Sequence, residues 1–354
     1  MSDSTTNSSQ TSTAFQSLSS PTFSPTTALT SGSGTSSNFV FDITAANDLT
    51  SRANYVYSFF AALGFGAGCF VFYSFIQTYR AQRRLAWLDC LLWVFCGFQL
   101  LLLLLSLHIV VYRPNYMPGA DLGCAALSFT VNVASLCGLL ILVLMAFVLT
   151  LDPPSNAPLR KSTVCAALVI LTSALISLLL AGLRGQQEEE KNCVMDPVQA
   201  GVSYAAAKMS LAFLGPYMLQ LGLLISGCVR QWKSKGRFLS GSEEGPVFLT
   251  VTVFMFVCQL FYSVVLVRGT LLDPDRKENR MERAFLTVAE CVLFSGSSFS
   301  LMLVLLLHRP SRESLHGVMR QLRDCCRRPR RAQPNRNIIS PHIEITDTLQ
   351  DIES

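Results

Sequence analysis

The chain has 354 residues, of which 50% are hydrophobic and only 14% are charged, and its formal net charge is +5. This balance excludes an ordinary soluble globular protein and indicates an integral membrane protein.

The N-terminal segment differs sharply from the rest of the chain. Its first 40 residues contain 22 Ser or Thr, and the first basic residue is Arg52. Such a segment buries too little apolar surface to fold, so residues 1–52 are predicted to be a disordered tail.

The sequence of the tail also bears on processing and modification. No charged region precedes a short apolar one, so no cleavable signal peptide is expected. Asn7 begins an Asn-Ser-Ser glycosylation acceptor, and clustered O-glycans are the alternative modification.

Seven apolar segments follow the tail, and each is long enough for a helix to cross a hydrocarbon core about 30 Å thick. Backbone groups have no water partner in lipid, so these segments must be helices. The predicted fold class is therefore an all-α seven-transmembrane helix bundle, which occupies residues 53–308. Its spans are predicted at 53–78, 86–112, 122–150, 163–183, 201–229, 246–268 and 284–307.

The distribution of basic residues predicts the orientation of the bundle. With the N-terminus outside, 18 Lys or Arg residues lie on the cytoplasmic side and 9 on the outer side. Basic residues flanking spans favour the cytoplasm, so we expect the N-terminus outside and the C-terminus inside. Lys208 is the one Lys or Arg in the interior of a predicted span, since Arg268 is the last residue of the sixth.

The first span contains a G-x-G-x-G run from Gly64 to Gly68. No strand precedes this run and its surroundings are apolar, so it does not indicate nucleotide binding. Gly64 and Gly68 instead fit the small-xxx-small pattern of close helix contact.

Two of the twelve cysteines lie on the predicted outer side of the bundle. Cys124 begins the third span and Cys193 lies in the second outer loop. Both face an oxidising compartment in this topology, so a disulfide between them is chemically allowed. Two unpaired thiols are the alternative.

Residues 309–326, after the seventh span, have apolar positions at helical spacing. They predict a short amphipathic helix along the inner membrane surface, followed by a disordered cytoplasmic tail at 327–354. Cys325 and Cys326 adjoin a basic cluster, so palmitoylation and contact with anionic lipid are predicted, with reduced thiols as the alternative.

These features together resemble the rhodopsin-like (class A) G-protein-coupled receptors. The resemblance covers residues 53 to about 326. In the fifth span, Phe213 and Pro216 match the family's Phe-x-x-Pro. In the sixth span, Cys258 matches the family's Cys-Trp-x-Pro, but Gln259 replaces the tryptophan and Phe261 the proline.

Other family motifs are replaced. The Asp/Glu-Arg-Tyr position of the third span reads Val148-Leu149-Thr150, and the sodium-binding aspartate of the second span is replaced by Gln99, with Asp89 nearer the inner interface. In the seventh span Ser300 and Leu301 replace the Asn-Pro of Asn-Pro-x-x-Tyr. For a chain that resembles this family, the replaced motifs imply atypical or weak G-protein coupling.

The resemblance also suggests a pocket that opens outward between the helices. Ionisable residues within a span are costly, so function is the default hypothesis for Lys208 and for Glu290 of the seventh span. His108, Asn132 and Tyr262 are the other predicted lining residues. The alternative is that Lys208 extends to the interface or pairs with Glu290.

The leading functional hypothesis is a signalling receptor of the plasma membrane. Its expected partners are an extracellular ligand of unknown class, a heterotrimeric G protein or other cytoplasmic adaptor, and membrane lipid, with no nucleic acid and no cofactor. A non-signalling decoy, scaffold or heterodimer partner is the alternative, and a small-molecule transporter is less favoured because no inverted repeat is visible. No enzymatic or metal-binding motif was found, so no catalytic activity is expected.

Overall fold

The computed structural model describes residues 35–83, 86–112, 121–151, 162–185, 197, 201–234, 245–272 and 280–327. The chain divides into two units, Met1–Phe41 and Asp42–Ser354, and the packing described below is that of the second. The predictions for Asn7, Cys193 and the cytoplasmic tail from residue 328 onward lie outside the described residues.

Within these ranges the chain forms eight helices and no strand. Seven of them, α1 to α7, are long and apolar enough to cross a membrane, and the prediction of an all-α seven-helix bundle with a short helix after the seventh span is confirmed. The eight helices are α1 (Thr35–Gln82), α2 (Trp87–Tyr112), α3 (Asp121–Leu151), α4 (Ser162–Gly185), α5 (Gly201–Ala207, Lys208–Leu214 and Gly215–Ser234, continuous), α6 (Gly245–Leu272), α7 (Arg280–Leu307) and α8 (Arg309–Arg327).

Helix α1 begins at Thr35, well before the predicted first span at residue 53. The segment before the span has no Pro or Gly to stop a helix, and it carries local pairs that favour one. Arg52 forms a salt bridge of 2.9 Å with Asp48, one turn earlier, and Thr50 donates a hydrogen bond to the Ala46 carbonyl. Hydropathy locates the membrane-crossing part of the helix, but these local pairs extend it.

Helix α3 lies at the centre of the bundle, where it packs against α2, α4 and α5. Its inward face includes Leu136, Cys137, Leu142 and Met145, all of which are almost completely buried. Helix α4 is less buried than α3, and most of its large apolar side chains are exposed on the outside of the bundle. In a membrane these side chains contact lipid: Leu168, Ile170, Leu171, Leu175, Leu178 and Leu179.

The contact between α1 and α7 depends on small residues. A Cβ atom added at Gly64 would lie 2.5 Å from Cβ and 2.6 Å from Cα of Ser298, so the two backbones approach closely there. Near this contact, the rings of Phe60 and Phe299 stand 4.6 Å apart. A side chain at position 64 therefore requires the helices to separate.

Helix α5 contains a π-helical segment immediately before its proline. The Gly215 N–H donates to the carbonyl of Ser210, five residues earlier. This π segment has seven residues, Lys208–Leu214, and includes Phe213 of the Phe-x-x-Pro match. Pro216 has no N–H for the Ala212 carbonyl, so the regular hydrogen-bond pattern is already interrupted at this point.

The seventh span ends at a buried histidine that joins three helices. The Nε2 atom of His308 lies 3.3 Å from Asp89 Oδ1 of α2, and its Nδ1 atom lies 2.9 Å from Ser311 Oγ of α8. Its ring stacks on Phe75 of α1, with centroids 5.1 Å apart. His308 is therefore a structural junction, which its place in the sequence "HRPSR" did not reveal.

Candidate functional site

A cavity of about 100 Å³ lies between the helices at the end of the bundle opposite α8. It is formed by α2, α3, α5, α6 and α7, with Pro197 from the segment between α4 and α5. Its walls combine apolar and polar side chains: Leu102, Ile109, Ser128, Val131, Asn132, Ser135, Pro197, Tyr204, Lys208, Tyr262, Glu290, Leu293 and Phe294.

The structure brings four of the five predicted pocket residues to this cavity. Asn132, Lys208, Tyr262 and Glu290 all line it, each from a different helix. His108 does not line it and is exposed, although its neighbour Ile109 is a lining residue. One residue corresponds to about 100° around a helix, so the face of α2 that carries Leu102 and Ile109 turns His108 away.

Two tyrosines hold the Lys208 ammonium group inside the bundle. Its Nζ atom donates to the Tyr262 hydroxyl at 3.1 Å and to the Tyr204 hydroxyl at 3.4 Å. It also stands over the two aromatic rings, 4.9 Å from the Tyr262 centroid and 5.6 Å from that of Tyr204. The side chain thus points into the bundle, and the alternative that it extends to the membrane interface is not what the structure shows.

The π segment gives Lys208 this direction. Lys208 and Phe213 are five residues apart, and in an α-helix they would differ by about 140° around the axis. Because i to i+5 bonding brings residues five apart onto one face, both side chains reach α6. Lys208 contacts Tyr262, and Phe213 stacks on Phe256 with centroids 5.5 Å apart.

Several lining residues were not predicted, although they lie at helical spacing from the predicted ones. Ser128 and Ser135 lie one turn before and after Asn132, and Tyr204 lies one turn before Lys208. Leu293 and Phe294 follow Glu290 by three and four residues in the same way.

Below the cavity, α5 and α6 meet through aromatic and polar contacts. Phe213, Tyr217 and Phe256 form a ring cluster with centroids 5.1 to 5.5 Å apart. Gln220 Nε2 donates to Thr252 Oγ1 at 3.1 Å in a buried position. The sequence identified only Phe213 and Pro216 in this region.

The sixth-span motif positions divide between the interior and the lipid face. Cys258 and Gln259 are buried, whereas Phe261, at the family's proline position, is 42% exposed. Helix α6 runs without interruption through this stretch. In this stretch, helix α6 therefore has neither the family's proline hinge nor another break in its place.

The other altered motif positions lie in α2, α3 and α7. Leu149 is partly buried against the core, and Thr150 Oγ1 donates to the Ala146 carbonyl within α3. Gln99 is fully buried, and neither end of its amide has a hydrogen-bond partner among the described residues. In α7 the Ser300 hydroxyl donates to the Gly296 carbonyl.

Of the predicted covalent modifications, only the lipidation site lies among the described side chains. Cys325 and Cys326 are both exposed near the end of α8. Cys124 lies in the first turn of α3, but neither its side chain nor Cys193 is described, so their disulfide stays a prediction. Among the described residues, no cluster of His, Cys, Asp or Glu is arranged to hold a metal ion.

Comparison with known proteins identifies the fold. No protein-family model and no curated protein matches the sequence. Many solved structures match the fold, among them the crystal structure of squid rhodopsin, with a TM-score of 0.60 at 12% sequence identity over 80% of this chain and 89% of that chain. The chain therefore has the rhodopsin-like seven-helix fold, and the resemblance predicted from its residues is confirmed at the level of the fold.

Proposed function

We infer that this multi-pass membrane protein with the rhodopsin-like fold is a receptor-like signalling protein of the plasma membrane. Its N-terminus faces outside, and it binds an extracellular ligand in the cavity between α2, α3, α5, α6 and α7. On the cytoplasmic side it couples to a heterotrimeric G protein or another adaptor in an atypical or weak manner.

The cavity is the observation that supports ligand binding. It joins a lysine, a glutamate, an asparagine and two tyrosines from four helices within an otherwise apolar bundle. Ionisable side chains at this depth are costly, and convergent polar groups in an apolar cavity are typical of a small-molecule site. Between this site and the other end of the bundle, α5 and α6 contact each other through Phe213 and Gln220.

The opposite end of the bundle supports atypical coupling. The family's arginine is absent, and the partly buried Leu149 occupies the middle position of Val148-Leu149-Thr150. Helix α7 contains no proline and α6 has one only in its first turn, at Pro246, so neither has the proline of the family motif that lets the helix bend. These same observations favour a second function, a seven-helix scaffold or heterodimer partner that binds a ligand without signalling.

Recruitment of engineered G proteins in living cells separates the two functions. We expect the wild-type protein to recruit at least one G-protein class weakly, and Leu149→Arg to raise that recruitment because it supplies the missing guanidinium. Val229→Arg is the matched control, since it adds the same charge to an exposed position at the same end of the bundle. Cell-surface amounts are measured for all three proteins.

The results of this recruitment experiment distinguish a receptor from a scaffold. Stronger recruitment by Leu149→Arg than by Val229→Arg supports a receptor bundle in which the coupling residue is altered. Failure of all three proteins to recruit any class, at normal surface expression, favours the scaffold.

A further inference from the structure

We propose that the cavity binds a compact small molecule that carries one carboxylate, and that this carboxylate contacts the Lys208 ammonium. The proposal rests on the proposed function, which requires only that the cavity bind some ligand. It adds the chemical class of that ligand and the residue that recognises its charge.

Lys208 carries a positive charge that its described hydrogen-bond partners do not neutralise. An ammonium group has three N–H donors, and in the described part of the chain its two hydrogen-bond partners are the hydroxyls of Tyr204 and Tyr262. Both hydroxyls are neutral groups, so they satisfy donors without compensating the charge. A cation inside a bundle is most stable with an anionic partner, and a carboxylate in the cavity supplies one.

The two tyrosines also make Lys208 a rigid binding group. Hydrogen bonds and ring contacts from both sides restrict the side chain before any ligand arrives. A flexible lysine loses rotamer entropy when it is fixed by a ligand. Because the tyrosines already restrict Lys208 in the folded protein, ligand binding costs less side-chain entropy. This favours the binding of a small anion.

Glu290 would favour a cationic ligand, but its situation differs from that of Lys208. Glu290 already takes part in another interaction within the protein, whereas the hydrogen-bond partners of Lys208 are two uncharged hydroxyls. The remaining polar groups of the wall, Ser128, Asn132 and Ser135, lie on α3. Hydroxyl and amide groups can donate to a second carboxylate oxygen.

The size and lining of the cavity determine the rest of the ligand. With a volume of about 100 Å³, the cavity admits only a compact ligand. Leu102, Ile109, Leu293 and Phe294 give the other side of the cavity an apolar and aromatic surface. A carboxylate attached to one aromatic ring fits both requirements.

Two isosteric probes test this proposal directly. Phenylacetate carries the charge, and phenylacetamide has the same shape without it. Binding of each is measured as saturable thermal stabilisation of the full-length protein in lipid nanodiscs. We expect phenylacetate to stabilise the wild-type protein and phenylacetamide to bind about tenfold or more weakly, because a charge-assisted hydrogen bond is lost.

Variants assign the effect to Lys208. We expect Lys208→Gln to weaken phenylacetate binding about tenfold or more and to abolish the preference over phenylacetamide. Arg320→Gln, which removes the same charge from an exposed position on α8, should bind like wild type. Combined Tyr204→Phe and Tyr262→Phe keeps the ammonium and should retain the preference for the anion, which provides a second test if Lys208→Gln fails to fold.

Three results would overturn the proposal: equal binding of the two probes, an unchanged preference in Lys208→Gln, or no binding of phenylacetate. Saturable binding of phenethylamine that is lost in Glu290→Gln would overturn it as well, while supporting the cavity as a ligand site. Failure of the proposed function is seen separately, because G-protein recruitment by the wild-type protein and by Leu149→Arg is measured without any of these probes.

Discussion

At the scale of single residues, position within a helix turn decides which side chains matter. Gly64 and Gly66 are two residues apart in the same apolar sequence, yet only Gly64 lies against another backbone. A Cβ at Gly64 would meet Ser298 at 2.5 Å, whereas a Cβ at Gly66 would have nothing within 4 Å. The same effect separates Ile109, which lines the cavity, from His108, which is exposed.

The two glycines provide a matched pair of substitutions. We expect Gly64→Ala to destabilise the protein by about 1–3 kcal/mol, because the added methyl group forces α1 away from α7. Gly66→Ala should be neutral or stabilise the protein by up to about 1 kcal/mol, since alanine favours a helix and the position is open. Thermal unfolding of both variants in the same detergent measures the difference, and equal stability would contradict the close contact.

At the scale of helices, short polar contacts determine where elements bend, end and join. In α5 the π segment allows Lys208 and Phe213 to face α6 together, and the missing N–H of Pro216 favours it. At the other end of the bundle, His308 links Asp89 of α2, Phe75 of α1 and Ser311 of α8. The Ser74 hydroxyl adds a contact of 3.3 Å to Ser314, so α8 is fastened to α1 as well.

The His308 junction predicts how firmly α8 is held. We expect His308→Ala to increase hydrogen exchange of the α8 backbone about tenfold, because the loss of its polar contacts removes about 1–1.5 kcal/mol of local stabilisation. His316→Ala is the control, since His316 is exposed on α8 itself. Exchange measured by mass spectrometry over residues 309–327 should change only in the first variant. Equal exchange in the two variants would show that lipid contact alone holds α8.

At the scale of the whole molecule, a multi-pass bundle has two possible orientations in the membrane. The charge distribution favours the N-terminus outside, because basic residues are twice as frequent on the side of the C-terminus. The proposed function depends on this orientation, since the cavity then opens toward the extracellular side. Helix α8 and its exposed cysteines would lie along the cytoplasmic surface.

Antibody labelling of terminal epitopes tests the orientation. We expect an epitope placed before residue 1 to be labelled on intact cells, and one placed after residue 354 only after permeabilisation. The C-terminal epitope serves as the internal control for membrane integrity. Labelling of the N-terminal epitope only after permeabilisation would reverse the assignment and place the cavity on the cytoplasmic side.

The site was partly predictable from the sequence. Lys208 and Glu290 were identifiable because a charge inside an apolar span is unusual, and Asn132 and Tyr262 because polar groups are rare there. Tyr204 has an equally direct contact with Lys208, but a tyrosine near the end of a span is common and gave no signal. The junction at His308 was missed because two of its partners, Asp89 of α2 and Phe75 of α1, lie far from it in the sequence.

The sequence by itself determined the class and number of the membrane helices and, except for the start of α1, their approximate limits. An apolar segment of about 20 residues must satisfy its backbone hydrogen bonds internally, so its length and composition are sufficient to define a helix. Only the tertiary structure decided which face of each helix meets its neighbours. That choice depends on packing between segments distant in the chain, on one extra residue in a turn of α5, and on the small side chains that let α1 approach α7.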